Sequence, residues 1–304
     1  MAATITTSTV AKALVPGAIK DWFGVGYDEY PTIYTQYMDM ETSDREFEEF
    51  VQLTGFGLVP QKPQGAPMAT DTIRQGYINR FTHIGYGLGF IITHEAIADN
   101  KYAQVAEART IALGTAFRQT KETVCANLLN RAFNSSFTFG DGVELISNAH
   151  PTISGNQSNE FTSADFSEAA IEDISIGVRR FRDDRRNVLR ANIDIWILPP
   201  ELEFDAMRVL DSEMQSGTAN NDINAYKKSN NGKKFIINPF LEATDAYFAK
   251  TSIRNGYVLV EREDLPIAQD NTINSMNLSY YKYQRYSVGS VEWRGATGST
   301  GTGA

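Results

Sequence analysis

The pattern of apolar and polar positions divides the chain into five consecutive regions. The first, residues 1–20, is rich in Thr and Ala and carries too few large apolar side chains to fold on its own. From Trp22 to Phe50 aromatic side chains are dense and are mixed with acidic ones. Such a patch must be covered, either by the same chain or by a neighbouring one. We therefore expect residues 1–50 to form an arm that becomes ordered against another surface.

Residues 51–92 have the pattern of a long β-hairpin. A block rich in Pro and Gly at residues 60–67 is typical of a hairpin tip, and the stretch from Thr72 to Ile84 alternates as a strand does. Few of these residues could form a core of their own, and isolated hairpins are only marginally stable in water. The sequence therefore predicts a hairpin that lies on another surface.

A single long helix is predicted from Asn100 to Phe133. Its apolar positions recur at helical spacing, at Val105, Ala108, Ala112, Ala116, Val124, Leu128 and Ala132. At ~1.5 Å per residue, roughly 33 residues extend about 50 Å. A compact chain of this length has a radius of gyration of only ~19 Å. The helix is therefore expected to cross the whole molecule as a spine.

Residues 137–270 alternate between helical and strand patterns, which predicts an α/β domain. Its first helix should begin with Thr162 or Ser163 as the cap and run to about Phe181. The other predicted elements are a strand at Ile193–Leu198, a helix that begins after Pro199, short strands near Lys233 and Gly256, and a strand-like stretch from Ile273 to Trp293. The final stretch, 295–304, is rich in Gly, Thr and Ser and is expected to be mobile.

Composition and charge narrow the function classes. The 304 residues include 28 Lys and Arg against 37 Asp and Glu, a formal charge of -9. That acidity excludes a dedicated nucleic-acid binder, which needs a basic surface to release counterions. The single cysteine, Cys125, excludes intramolecular disulfides and multi-thiolate metal sites. The amino terminus lacks a secretion-signal pattern, and no apolar stretch approaches the roughly 20 residues that span a bilayer, so a cytoplasm-like environment is expected.

No catalytic or cofactor site is predicted. The three histidines, His83, His94 and His150, match no zinc-ligand spacing, and each is interpreted as structural. The glycine-rich stretch 85–90 lacks the offset and the preceding βαβ unit of a dinucleotide loop, and it is more typical of close backbone approach in a strand. Cys125 lies among apolar residues of the predicted helix and should be buried. We therefore expect no enzyme, no cofactor and no metal.

Residues 179–190 form the one basic cluster, with six arginines. The cluster could meet phosphates or the acidic face of a neighbouring subunit, or it could be a solvated helix end, where cations suit the helix dipole. A solvated or subunit-contacting role is favoured over nucleic-acid binding. Asp183 and Asp184 are adjacent and would point in different directions on a helix, so they make a poor acid/base pair.

The order of these regions resembles the major capsid protein fold of tailed bacteriophages, which encapsulins and the floor of herpesvirus capsids share. Three stretches narrow the resemblance to the major head subunit of Mu-like phages and prophages, namely Gln75–Glu95, Phe139–Pro151 and Ile197–Leu210. The resemblance covers nearly the whole chain from about Tyr34.

This resemblance implies an α+β fold. In that fold the hairpin is the extended loop, or E-loop, the spine helix and the late strand form a peripheral domain, and the α/β region is an axial domain around the five- and six-fold axes. The boundaries expected here are 1–50 for the arm and the start of the peripheral domain, 51–92 for the E-loop, 93–136 for the spine helix, 137–270 for the axial domain, and 271–304 for the return strand and a flexible tail.

The resemblance also implies a structural function. Copies of the chain are expected to form pentamers and hexamers of an icosahedral head, assembled in the cytoplasm of a bacterial host, that encloses double-stranded DNA without reading its sequence. A scaffolding protein, a portal and a decoration protein are further partners that it implies, and no membrane is involved. The arm and the hairpin should cover neighbouring subunits through large, obligate interfaces. A weakly acidic wall would let the duplex slide during packing and ejection.

The candidate assembly contacts lie in the arm, the hairpin and the basic cluster. They are Trp22, Phe23, Tyr34, Lys62, Gln64, Met68, Tyr77, Phe81, Arg182, Arg185 and Arg186. Two alternatives stay open. An encapsulin-type compartment has the same fold but loads protein cargo instead of DNA, and a soluble enzyme would carry a site that the sequence does not reveal.

Overall fold

The computed structural model of the chain describes residues 19–95, 102–214, 223–230, 234–272 and 277–302. The predictions for the first 18 residues of the arm, for the first two residues of the long helix and for the start of the late strand at 273–276 lie outside the described residues.

The described residues form ten strands in three sheets. In chain order the strands are β1 (Asp39–Thr42), β2 (Phe47–Leu53), β3 (Gln75–Thr82), β4 (Ile84–Ile92), β5 (Ile193–Leu198), β6 (Lys234–Ile237), β7 (Tyr247–Thr251), β8 (Val258–Thr272), β9 (Asn277–Gly289) and β10 (Ala296–Ser299). The helices are α1 (19–28), α2 (Tyr34–Tyr37), α3 (Tyr102–Asn130), α4 (Glu168–Arg179), α5 (Glu203–Ala206, between a 3₁₀ turn at Pro200–Leu202 and a π turn at Met207–Asp211) and α6 (Ala225–Asn230).

The long helix α3 is the spine that the sequence predicts. Its 29 residues extend about 43 Å at ~1.5 Å per residue. The buried row in its first half consists of Ala106, Thr110, Leu113 and Phe117. The predicted row through Ala108 and Ala112 is wrong, because both residues are exposed. Alanine favours helix on any face, so its periodicity does not identify the buried side.

Helix α1 crosses the spine at two glycines. A Cβ on Gly114 would lie 2.6 Å from the carbonyl oxygen of Phe23, and Gly26 packs as closely against the backbone of Ile111. The spine carboxylate of Glu122 accepts the backbone N–H groups of Ile33 (2.8 Å) and Tyr34 (3.1 Å). Part of the arm is therefore packed on its own chain: Tyr34 and Tyr37 lie in the main core, whereas Tyr30 is 54% exposed. That the arm covers a neighbouring chain stays a prediction.

The sheet beside the spine has the order β1-β8-β9-β4. Gly85, Gly87 and Gly89 of β4 lie opposite residues of β9, and the rings of Tyr281 and Tyr283 occupy the space where Cβ atoms would stand. This arrangement confirms the close approach that the glycine-rich stretch predicts.

The second sheet has the order β10-β7-β5-β6, and α4 packs on it. The predicted strand Ile193–Leu198 is confirmed as β5. Helix α4 begins later than predicted, with Ser167 as the cap that accepts from the N–H of Ala170 at 3.4 Å. The predicted cap Ser163 instead hydrogen-bonds Thr300 at 3.0 Å, because the carboxyl-terminal segment lies beside it.

The predicted mobile tail is wrong for its described part. Residues 296–299 form β10, which pairs antiparallel with β7 and is buried at every position. Thr297 donates its hydroxyl to the carbonyl of Asn159 at 2.7 Å, and a Cβ on Gly298 would lie 2.7 Å from the carbonyl oxygen of Tyr247. Small residues are needed here because the strand fits a narrow space, not because the chain is unstructured.

Two predicted boundaries move. The hairpin consists of β2 and β3, residues 47–82, whereas β4 joins the sheet beside the spine. Strand β8, predicted within 137–270, pairs with β9 in that same sheet. The main core, which includes Tyr37, Leu129, Ile197 and Phe248, lies between the spine and the two larger sheets.

Candidate assembly surfaces

The hairpin is fixed at its base and open at its tip. Strands β2 and β3 pair from Phe47 opposite Thr82 to Leu53 opposite Gln75. At the base, the ring of Phe50 meets the edge of Phe81 at 5.2 Å between centroids. At the far end of the ladder the loop 54–74 begins. The hairpin therefore ends in a long loop that contributes no side chain to the main core.

The loop 54–74 presents apolar side chains to solvent. Leu58 is 85% exposed, Val59 93% and Met68 81%. Lys62 and Gln64 are exposed as well. The predicted hairpin contacts Lys62, Gln64 and Met68 thus lie on one accessible loop, and Leu58 and Val59 join them. Sequence reasoning missed these two, although two consecutive large apolar residues beside a Pro- and Gly-rich block are an available signal.

Two predicted assembly contacts are buried within their own chain. Tyr34 is 4% exposed and packs in the main core, and Phe81 is 5% exposed and packs against Val258 and Val260. Both side chains are packed within their own chain, which argues against a contact with a neighbouring subunit at these two positions. Aromatic density alone does not separate residues that a chain covers itself from residues that a partner covers.

Three further candidates are partly buried and have partners in the same chain. Trp22 packs against the cluster around Ile92 and Tyr280, and Phe23 stacks on Tyr27 at 5.6 Å between ring centroids. The hydroxyl of Tyr77 lies in the interior, where burial raises its pKa. Their role between subunits stays a prediction.

The basic cluster is a structured turn rather than a solvated helix end. Helix α4 ends at Arg179, and residues 182 and 188 form an antiparallel bridge around the turn. Asp183 accepts the N–H groups of Arg185 (2.8 Å) and Asn187 (2.7 Å). Asp183 and Asp184 do point in different directions, as expected, because Asp184 turns inward to Arg294.

The arginines of the cluster have different surroundings. Arg185 reaches the hairpin loop and contacts Asp71 at 2.5 Å between guanidinium and carboxylate. Arg182 and Arg186 are exposed; Arg182 donates to the backbone carbonyl of Arg186 (2.9 Å), and Arg186 donates to that of Ser154 (2.9 Å). The predicted contact between subunits at Arg182 and Arg186 stays a prediction, whereas Arg185 is engaged within its own chain.

Arg294 is a buried cation that the sequence did not predict. It is 2% exposed and donates to Asp184 at 2.7 Å and to Glu292 at 2.8 Å. Burial opposes its charge, but the two carboxylates outweigh that effect and raise its pKa. This triad ties the basic turn to the segment that precedes β10.

His150 has a structural role. Its Nδ1 lies 2.6 Å from an Asp141 carboxylate oxygen and its Nε2 lies 3.0 Å from Oδ1 of Asn159. The Asn159 amide nitrogen lies 2.9 Å from three backbone carbonyl oxygens, which share its two N–H groups, so its oxygen faces the ring as an acceptor. The ring also stacks on Trp293 at 4.2 Å between centroids. His150 thus joins two segments of the core.

The other predicted structural residues also occupy packed positions. His83 is 4% exposed, and burial together with Arg262 and Arg285 lowers its pKa, which Glu48 partly opposes. Cys125 is fully buried, and burial raises the pKa of its thiol. A buried neutral thiol is a weak nucleophile.

A groove of ≈ 600 Å³ lies between β3, the spine and β4, and no His, Cys, Asp, Glu or Lys lines it. Among the described residues, no group of three or more His, Cys, Asp or Glu side chains could hold a metal ion. None of the helices in the described ranges is both long and apolar enough to cross a membrane. The surfaces that stand out are therefore the apolar loop and the basic turn.

Comparisons with solved structures identify the fold. The chain is similar to the virus-like particle from Pyrococcus furiosus, with a TM-score of 0.56, 9% identity, and coverage of 93% of this chain and 98% of the other. For Mycobacterium phage Che8 the TM-score is 0.53 and the identity 14%, over 90% and 93% of the two chains. For the capsid of bacteriophage JBD30 decorated with minor capsid protein trimers, the TM-score is 0.54 and the identity 11%, over 70% of this chain and 92% of the other. The capsid fold that the sequence predicts is confirmed.

Comparison with protein families assigns the chain to a family, whereas the solved structures identify only its fold. No curated protein sequence matches the chain. The family described as phage capsid protein matches residues 82–298, which is more than half of the chain. The match runs from the end of β3 through the spine and both larger sheets to β10. The chain therefore belongs to the phage capsid protein family and is a structural, non-enzymatic component of the phage shell.

Proposed function

We propose that copies of this chain form the pentamers and hexamers of an icosahedral, Mu-like phage head that encloses double-stranded DNA. The observation that carries this proposal is the hairpin loop 54–74, whose side chains Leu58, Val59 and Met68 are 81–93% exposed. A long loop with such exposed side chains needs a partner surface. In a closed shell, each neighbouring copy supplies one.

Burial of the apolar side chains of this loop against a neighbouring copy would supply a free energy large enough to favour assembly. Full burial of a Leu, Val or Met side chain is worth about 1.5–3 kcal/mol. Three such side chains offer roughly 4.5–9 kcal/mol per subunit, from which the cost of ordering and association is subtracted. Each subunit gives one loop and receives one, so the gain recurs at every contact around a ring.

The remaining partners follow from the same proposal. The formal charge of -9 suits a wall that encloses a duplex without holding its phosphates tightly. A scaffolding protein and a portal would set the size and the entrance of the head, during assembly in the bacterial cytoplasm. The likeness to the JBD30 capsid, which is decorated with minor capsid protein trimers, supports a decoration protein as a further partner.

Deleting residues 60–67 tests the role of the hairpin loop. The variant is expected to remain soluble and folded, because the loop contributes no side chain to the main core, but to form no regular shells by electron microscopy. Replacing the same residues with a Gly/Ser segment of equal length separates the loop's length from its side chains. Normal particles from the deletion variant would contradict the proposal.

The contents of purified particles separate a phage head from a protein-loading compartment. The match to the phage capsid protein family favours the head. Nuclease-protected duplex DNA inside particles from infected or induced cells is the expected result. Particles that contain a defined protein cargo and no nucleic acid would favour the compartment.

A further inference from the structure

The structure assigns an interaction surface to the turn at residues 183–187: we propose that this turn, the docking turn, holds the hairpin loop of its own chain before a neighbouring subunit covers that loop. The contacts involved lie within one chain and are independent of any shell. Only the consequence for assembly rests on the proposed function.

The docking turn is built without help from the hairpin. The carboxylate of Asp183 accepts the backbone N–H groups of Arg185 (2.8 Å) and Asn187 (2.7 Å), and it also accepts the side-chain amide of Asn187 at 2.8 Å. The backbone closes through the N–H of Asp183, which donates to the carbonyl of Asn187 at 2.8 Å. Arg186 sits in the left-handed region at φ 68. The side chains of Arg185 and Asn187 are thereby aimed from a rigid base.

The part of the hairpin loop that faces the docking turn is also held by hydrogen bonds of its own. The carboxylate of Asp71 accepts the N–H of Gly57 at 2.9 Å and its oxygen Oδ1 accepts the N–H of Thr72 at 2.8 Å. Since Gly57 and Thr72 stand on opposite arms of the loop, Asp71 ties the two arms together. The Arg185 guanidinium and these two N–H groups hold the pKa of the Asp71 carboxyl well below its usual range. Asp71 is therefore charged at neutral pH.

The docking turn and the hairpin loop contact each other through the guanidinium of Arg185 and the side-chain amide of Asn187. Arg185 donates from Nη1 to Asp71 and from Nη2 to the carbonyl of Thr72, each at 2.5 Å. Asn187 donates its amide to the carbonyl of Phe56 at 3.1 Å. A planar guanidinium that binds a carboxylate and a carbonyl at the same time fixes the position of the loop as well as attracting it. The loop is thus positioned on the α/β domain rather than free to swing.

The docked loop is not in its final environment. Leu58, Val59 and Met68 remain 81–93% exposed while the polar contacts are made. The junction itself is partly open to water, with side-chain exposures of 21% for Arg185 and 41% for Asp71. Ion pairs in such positions are weak and screened by salt. The docking turn therefore orients the loop, and the apolar side chains stay available for a neighbour.

The test is limited proteolysis of the unassembled full-length chain. Chymotrypsin cleaves after Phe56, Leu58 and Met68, which all lie in the loop. Arg185→Gln should increase the rate of cleavage in the loop about fivefold or more, because local opening controls access of the protease. Arg180→Gln is the matched control, since Arg180 belongs to the same basic cluster and is exposed.

Thermal unfolding of each variant distinguishes local release from general destabilisation. The conservative variant Arg185→Lys keeps a cation for Asp71 and should retain part of the protection that Arg185→Gln loses. If the loop is cleaved at the same rate in wild type and in Arg185→Gln, and the melting temperature is unchanged, the proposal that the docking turn holds the loop is wrong. Equal acceleration by Arg180→Gln would also contradict it.

The same variants separate this inference from the proposed function. If Arg185→Gln frees the loop in the unassembled chain but no shells form even from wild type, the docking turn stands and the proposed function fails. If wild type forms shells and the loop is cleaved equally in all variants before assembly, the proposed function stands and the docking turn fails.

Discussion

The double variant Leu58→Ser/Val59→Ser tests whether the exposed loop drives association. Leu58 is 85% exposed and Val59 93% exposed in the single chain. Side chains that accessible contribute little to folding, so the free energy of unfolding of the unassembled subunit should change by no more than about 0.5 kcal/mol. Any larger effect must appear when copies of the chain meet.

The expected loss in association follows from the area that a neighbour would cover. Burying a Leu or Val side chain is worth about 1.5–3 kcal/mol, so the pair should contribute about 3–6 kcal/mol per subunit contact. Since each 1.4 kcal/mol is a factor of ten in an equilibrium constant, the critical concentration for assembly should rise by about 100-fold or more. That change is far outside the error of a light-scattering titration.

The assay combines two measurements on the same preparations. Denaturant unfolding of dissociated subunits reports the stability of the chain, and light scattering against protein concentration reports assembly. The conservative variant Leu58→Met/Val59→Ile keeps the apolar surface and should assemble as wild type does. Assembly of the serine variant at the wild-type concentration, with unchanged subunit stability, would refute burial of this loop between subunits.

Three further predictions concern the interior. Arg294→Met leaves the buried carboxylate of Asp184 without its cation and should lower the free energy of unfolding by about 3–5 kcal/mol; a denaturant midpoint close to wild type would contradict the triad. His83 has a lowered pKa, so the unfolded chain takes up its proton first and the free energy of unfolding should fall as the pH drops below about 6.5. His83→Gln should remove that part of the pH dependence, and an identical profile for both proteins would count against it. Gly298→Ala places a Cβ 2.7 Å from the carbonyl oxygen of Tyr247 and should cost about 1–3 kcal/mol by thermal unfolding, whereas a mobile tail would tolerate it.

Elements with a strong local pattern could be predicted from the sequence. The spine helix follows from a long proline-free stretch with helical spacing, and the hairpin follows from alternation around a Pro- and Gly-rich block. The glycine-rich stretch of β4 was interpreted as a site of close approach, and the tyrosines of β9 occupy that space. In each case the pattern and the packing depend on the same residues.

Features that depend on distant segments could not be predicted. The tail from Gly295 has the composition of a flexible segment, yet Ala296 to Ser299 form a buried strand because β7 lies beside them. Tyr34 and Trp22 have similar aromatic chemistry, but only Tyr34 is enclosed by the core. Exposure of an aromatic residue is decided by tertiary packing, which the local sequence does not contain.

The candidate assembly surfaces also include some features that the sequence predicts and others that it does not. Exposure of Lys62, Gln64 and Met68 follows from their position in a polar, proline-rich loop. The partner of Arg185 does not, because Asp71 is 114 residues away along the chain. Within a cluster of six arginines, only the fold distinguishes the one that meets the hairpin from those that face solvent.

Electron microscopy of the purified protein shows whether copies of the chain build a shell. At concentrations where light scattering reports assembly, we expect closed icosahedral shells built from pentamers and hexamers. We also expect the hairpin loop of each subunit to lie on a neighbouring copy. A protein that remains a monomer or a small oligomer under all assembly conditions, with its fold intact, would show that the chain does not form a shell by itself.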